Sequence, residues 1–166
     1  MKAALFVISA ISLTVFSAQA QTKVGGGLAY GTEIETIGFD VRATFGISEN
    51  ILVAPDITFF LNNTDEVSGV KTKLKWWEIN LNGNYIWNLS GFSPYVLTGL
   101  NLAIIGAEFE GAGVSVSDSD LKVGLNIGGG ANIPFNDKLE GFFELKYNIS
   151  NADQLAIKGG VKVAIN

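Results

Sequence analysis

From residue 36 onward the chain alternates. Ile37, Phe39, Val41, Ala43, Phe45 and Ile47 are apolar, whereas the intervening Gly38, Asp40, Arg42, Thr44 and Gly46 are small or polar. Leu121, Val123, Leu125 and Ile127 repeat the pattern around Lys122, Gly124 and Asn126. A period of two sends the two sets to opposite faces of a strand. The pattern recurs in eight stretches, at 22–31, 36–47, 51–61, 73–89, 92–105, 120–133, 139–150 and 155–166. A face that apolar over eight strands requires a solvent of its own, and lipid fits best.

The second face decides the orientation. It carries Gly25, Gly27, Gly38, Gly46, Gly99, Gly124, Gly128, Gly130 and Gly160, with Asn80, Asn82, Asn84, Asn101, Asn126 and Asn132. A wetted surface is normally dense in Lys and Glu, whereas a crowded lumen favours small side chains. The interior of eight strands is only just wide enough to be filled by side chains, so the large apolar set belongs outside. Aromatic residues of the apolar face gather at strand ends: Phe45, Tyr85, Trp87, Phe92 and Phe143 at one, Tyr30, Phe59, Trp77 and Tyr147 at the other. Two such girdles match two membrane interfaces.

The connections also alternate. Residues 48–50, 90–91 and 134–138 are short turns, and 62–72 and 106–119 are long loops on the other side, together with the short links 32–35 and 151–154. This is the asymmetry of periplasmic turns and extracellular loops. The expected fold is all-β: a closed, eight-stranded, antiparallel up-and-down transmembrane β-barrel. Closure would bring the glycines at 25–27 against those at 159–160.

The N-terminus reads as a signal peptide. Met1-Lys2 precedes an apolar run from Ala3 to Phe16 and a small-x-small site, Ala18-Gln19-Ala20. The run is shorter than the roughly 20 residues of a spanning helix. Cleavage is expected after Ala20, leaving Gln21 first, with residues 1–20 as signal and 21–166 as the outer-membrane barrel domain.

The signal peptide, the alternating strands and the Gly-rich first strand Gly25-Gly26-Gly27 resemble the small outer-membrane β-barrel proteins of Gram-negative bacteria, of the OmpX-like and OmpW-like types. The similarity is one of pattern across the whole mature chain. It implies residence in the bacterial outer membrane, contact with its lipid and lipopolysaccharide, assembly by the insertion machinery and a monomeric state. The family commonly ends in an aromatic residue, whereas this chain ends Val163-Ala164-Ile165-Asn166.

Composition narrows the chemistry. The chain has no cysteine and no histidine, and a net charge of −5. Barrel enzymes of that membrane, among them palmitoyltransferases, lipid A deacylases, phospholipases and omptin-type proteases, rely on a histidine. Without one, Ser115 or Ser117 lacks the usual activating partner. No catalytic residue, cofactor or metal is therefore assigned. Ser115 to Asp120 lacks the spacing of an EF-hand loop. An acidic chain with no basic cluster over an aromatic platform does not suit nucleic acid.

The inward face carries acidic Asp40, Asp56, Glu78, Glu140 and Glu144, and basic Lys23, Arg42, Lys122, Lys146, Lys158 and Lys162. Buried charges must be paired, so a neutralised lumen network is expected from Asp40, Arg42, Asp56, Glu78, Lys122, Glu144, Lys146, Lys158 and Lys162. A three-residue turn at 48–50 sets Arg42 opposite Asp56, and Glu144 is expected diagonal to Lys158. Inward Phe60, Ile86, Tyr95 and Phe142 would narrow both mouths. Outside, Lys71, Lys73 and Lys75 alternate above Trp77 and are candidates for lipid phosphate contact. The loop side is acidic through Glu33, Glu35, Asp65, Glu66, Glu108, Glu110, Asp118, Asp120 and Asp153.

Three functions remain open at this point. The first is a non-enzymatic barrel with a structural or surface-interaction role. The second is a narrow channel or carrier for a very small or hydrophobic solute. The third is a secreted soluble barrel that binds an apolar ligand.

Overall fold

A computed structural model describes residues 22–67, 70–111 and 114–165. The expected cleavage site at Ala18, Ala20 and Gln21 lies outside the described residues. Nine strands follow one another: β1 (Lys23–Gly31), β2 (Thr36–Gly46), β3 (Ile51–Phe60), β4 (Asn63–Val67), β5 (Val70–Ile86), β6 (Ser93–Gly111), β7 (Val114–Pro134), β8 (Leu139–Ile149) and β9 (Gln154–Ala164). All pairings are antiparallel. β3 pairs with the lower part of β5 and β4 with its upper part, so β3 and β4 form one stave interrupted at Leu61-Asn62. The first strand pairs with the last from Lys23↔Ala164 to Gly31↔Ala156, which closes eight staves into a barrel.

The turns fix this register. The Ile47 N–H donates to the Ile51 carbonyl at 2.8 Å and the Phe135 N–H to the Leu139 carbonyl at 2.9 Å, closing two short turns. Gly91 supplies the positive φ of 88° in the turn between β5 and β6, a conformation that glycine adopts without steric cost. The β2–β3 register runs to Arg42↔Asp56 and resumes at Phe45↔Val53. Pro55 lies in that gap and has no N–H to donate.

The faces sort as the alternation predicts. Outward Leu121 is 58% exposed and Val123 66%, while inward Glu78 and Asn126 are 0% exposed. A soluble ligand-binding barrel would need the reverse. Each girdle contains an edge-to-face aromatic pair: Phe59 with Trp77 at 4.5 Å and Tyr85 with Trp87 at 5.0 Å. Phe135, expected only as part of a turn, is outward too and packs its ring over Gly141.

Two expectations change. The stretches 62–72 and 106–119 are largely strand, since β4, β5, β6 and β7 run on as paired hairpins. β7 pairs with β8 only from Leu125↔Ile149 downward, so its upper half projects beyond its neighbour. Their polar, glycine-interrupted sequence reads as loop.

Glycine permits the seam. A Cβ at Gly25, Gly27 or Gly160 would lie inside van der Waals contact with the backbone of the facing strand, at Val161, Gly159 and Gly26 respectively. A Cβ at lipid-facing Gly83 would come no nearer than 3.8 Å to anything, the Thr98 carbonyl oxygen. Gly160→Val is expected to lower stability by about 1–3 kcal/mol through overpacking, and Gly83→Ala to leave it unchanged. Urea unfolding followed by heat-shifted gel migration checks both; equal effects would contradict close packing at the seam.

Candidate functional site

The lumen is occupied by charge. Arg42 of β2 points inward, and its Nε donates to Asp40 Oδ2 at 2.6 Å. Its two Nη atoms reach across the barrel to the Glu144 carboxylate of β8 at 3.1 and 3.3 Å. This is the planar fork suited to a carboxylate. The guanidinium lies 3.9 Å from the centroid of the Phe142 ring, and Tyr95 OH donates to Glu144 Oε2 at 2.8 Å.

Asp56 is the second hub. Lys158 Nζ donates to Asp56 Oδ1, Asp40 Oδ1 and Thr58 Oγ1, each at 2.7 Å. Asn80 and Asn82 donate to the two Asp56 oxygens at 2.8 and 3.0 Å. Asn126 and Asn101 continue the chain of amides, each donating to Asn80 Oδ1 at 2.8 Å. Lys146 pairs with Glu78 at 3.1 Å and lies 4.0 Å from Asp56. Nearer the short turns, Glu140 joins Lys23 at 2.7 Å and Lys162 at 2.8 Å.

Three details differ from the sequence expectation. Arg42 does stand opposite Asp56 in register, but its ion pairs go to Asp40 and Glu144. Glu144 is directly opposite Lys158, not diagonal to it, and neither is the other's bonded partner. Wall register places Cα atoms, whereas long side chains in a narrow lumen bond across it. Lys122 is not in the network. It pairs with Asp120 at 2.6 Å, with the lysine side chain 32% exposed, on the part of β7 that no β8 residue covers. With Lys122 set apart, the interior bases Lys23, Arg42, Lys146, Lys158 and Lys162 equal the interior acids Asp40, Asp56, Glu78, Glu140 and Glu144 in number.

Apolar clusters lie toward both ends. At the outer mouth Ile34, Phe60, Trp76, Ala29 and Ala103 are buried together, with Leu74, Ile105 and Ala152 against them. Ile34 comes from the short β1–β2 link, where Glu35 adopts φ 53°. The link is pinned from two sides: Asn63 Nδ2 donates to the Ile34 carbonyl at 3.0 Å, and the Glu33 N–H donates to Gln154 Oε1 at 2.8 Å. Ile34 was not anticipated; its one sequence signal is being the lone apolar residue of an acidic turn. At the inner mouth Ile86, Tyr95 and Leu97 are buried with Leu52 beside them.

Beyond each cluster lies an open depression. The inner one, about 480 Å³, is lined by Lys23, Glu140 and the β7–β8 turn. The outer one, about 520 Å³, is lined by Glu33, Trp76, Tyr147, Asp153 and the β8–β9 turn. There the Asp153 carboxylate accepts the Ser150 N–H and Tyr147 OH, each at 2.9 Å, and these bonds hold its pKa below the usual carboxylate value.

Outside the barrel, Lys73 stands opposite Glu108 and Lys71 opposite both Glu110 and Glu66 in register. The side chains of Lys71, Glu66, Glu108 and Glu110 lie outside the described residues. Trp77 below is 49% exposed.

Arg42→Leu leaves the buried Glu144 carboxylate without a cation and takes one of two cations from Asp40, and it is expected to destabilise the barrel by about 3–5 kcal/mol. Lys122→Gln should cost less than about 1 kcal/mol, since its pair is exposed. Adding Glu144→Gln to Arg42→Leu should recover part of the loss. Urea titrations of refolded barrels in detergent provide the comparison.

A family model described as "Outer membrane protein beta-barrel domain" matches residues 3–163. No curated protein sequence matches the chain significantly. Among solved structures, a major outer membrane protein from Thermus thermophilus is similar with a TM-score of 0.75 at 10% identity, covering 89% of this chain and 100% of that one. Ail of Yersinia pestis, in complex with the heparin analogue sucrose octasulfate, is similar with a TM-score of 0.66 at 13% identity over 89% of this chain and 99% of that one. The N-terminal β-barrel domain of Pseudomonas aeruginosa OprF gives 0.64 at 14% identity, over 89% and 100%. At such identities the structures share a fold. The family match, the closed eight staves and the apolar exterior agree: the chain belongs to the outer membrane protein β-barrel domain family and resides in the bacterial outer membrane.

Proposed function

We propose that this chain is a sealed, non-enzymatic barrel that serves the outer membrane structurally and meets its surroundings through the extracellular hairpins. The observation that supports this is the lumen: a charge-balanced network lies between two apolar clusters. Fixed ions packed between these clusters make a stiff cross-brace for the staves and leave little for a permeating solute to replace. Catalysis would need an activated nucleophile, and the chain has no histidine to activate one. In this reading residues 1–20 are removed after Ala20, the insertion machinery delivers a monomer, and Asp40, Arg42, Asp56, Glu78, Glu144, Lys146, Lys158 and Lys162 act as the brace.

The narrow-channel reading has one observation in its favour, a continuous run of polar groups through the middle of the lumen. Planar-bilayer recording separates the two. The sealed barrel gives no steady conductance, and a steady open level at moderate voltage would replace this reading with the channel.

Outward contact with lipid phosphate is assigned to Lys71, Lys73 and Lys75 above Trp77. Long basic side chains snorkel from an interface toward phosphate, and Trp77 marks that height on β5. Changing all three lysines to Gln should weaken lipid A binding to the purified barrel several-fold. Unchanged binding would remove the assignment and leave the row as a ladder matched to Glu108 and Glu110.

A further inference from the structure

Amphipathicity inverts where the wall leaves the membrane. At and below Trp77, outward positions of β5 are largely apolar (Trp77, Ile79, Leu81 and Tyr85) and inward ones are largely polar (Glu78, Asn80, Asn82 and Asn84). Above Trp77 the outward positions are Lys75 and Lys73, and the axial ones are Trp76, Leu74 and Thr72. The neighbouring strands change in register with it. Gly106 of β6 and Ser119 of β7 occupy outward positions. Ile105 and Ala107 occupy axial ones. Leu74, Ile105 and Ala107 therefore form an apolar edge facing the barrel axis, above the mouth. Leu74 and Ile105, its lowest row, pack on the Ile34 cluster. Among the described residues the positions above have no facing stave, since β8 and β9 meet at a short turn well below them.

Charge and hydrogen bonding say what fits this face. Asp118 and Asp120 lie on the axial side in register, and Glu33 and Asp153 line the depression of about 520 Å³ at its foot. Lys122 pairs with Asp120. Trp76 lines the same depression at 5% exposure, and its buried indole N–H has no hydrogen-bond partner among the described residues. The missing complement is an apolar surface edged with positive charge and carrying a carbonyl acceptor.

We propose that the extracellular mouth is a docking cradle for a cationic amphipathic polypeptide segment. The segment's apolar side lies along the row of Leu74, Ile105 and Ala107. Its Lys or Arg side chains meet Glu33, Asp118 and Asp153, and a carbonyl approaches the Trp76 indole. The cradle rests on the surface-interaction reading, but it needs no assumption about conductance, so a channel recording can overturn the sealed lumen without touching it.

The test uses the full mature chain in phosphatidylcholine nanodiscs. The probe is a labelled helical Lys/Leu peptide of about 14 residues, ~21 Å long, read by fluorescence anisotropy against empty nanodiscs. Saturable binding is expected. It should weaken about tenfold or more in Glu33→Gln/Asp118→Asn and in Leu74→Ser. A Glu/Leu peptide of the same spacing should not bind, and a scrambled Lys/Leu peptide should bind as weakly as the variants do to the original. No binding by the wild-type chain, or equal binding of the scrambled peptide, would overturn the proposal whether or not the variants fold. Unaltered affinity in variants that keep heat-shifted migration would overturn it as well.

Discussion

Hydrocarbon cannot hydrogen-bond a peptide group, and each group left unpaired there costs several kcal/mol. A chain that crosses lipid as strands must close its ladder. Here the closing pair is β1 with β9, from Lys23↔Ala164 to Gly31↔Ala156, and glycines at the seam allow the strands to approach. The gap in the β2–β3 register at Pro55 falls where the residue has no N–H.

Closure creates the second problem. A small barrel encloses inward side chains with little water around them, so polar residues must satisfy one another. This lumen does so largely with hubs, although Glu78 Oε1 and the Oδ1 atoms of Asn84, Asn126 and Asn148 have no partner among the described residues. Asp56 receives Lys158, Asn80 and Asn82, and Arg42 ties β2 to β8 through Glu144. The network therefore links opposite walls, which the backbone ladder cannot do. Apolar clusters lie toward both ends, and a low local dielectric strengthens these bonds. Stability and a filled lumen follow from one arrangement.

Much of this was readable beforehand. Side-chain parity is strict in a strand, so Leu121, Val123 and Leu125 could be assigned outward and Asn126 inward from order alone. The turn at 48–50 set Arg42 opposite Asp56, since a short turn leaves a hairpin little freedom. The hairpins above the membrane were not readable. At Trp76-Trp77 the apolar set passes from one parity to the other, so a continuous strand imitates the end of one. Lys122 was misplaced because parity puts it inward, while the length of its neighbour decides whether anything encloses it.

The sequence by itself determined the two faces, the staves, the closing seam and the medium in which the chain lives, because these depend on a period of two and on turn length. Only the tertiary structure decided which charges bond, that Ile34 is buried in the outer apolar cluster, and that Leu74 and Ile105 pack on it. Those depend on distances across a closed space between residues far apart in the chain, such as Arg42 and Glu144. Local order along a strand carries no information about such distances until curvature and register have fixed them.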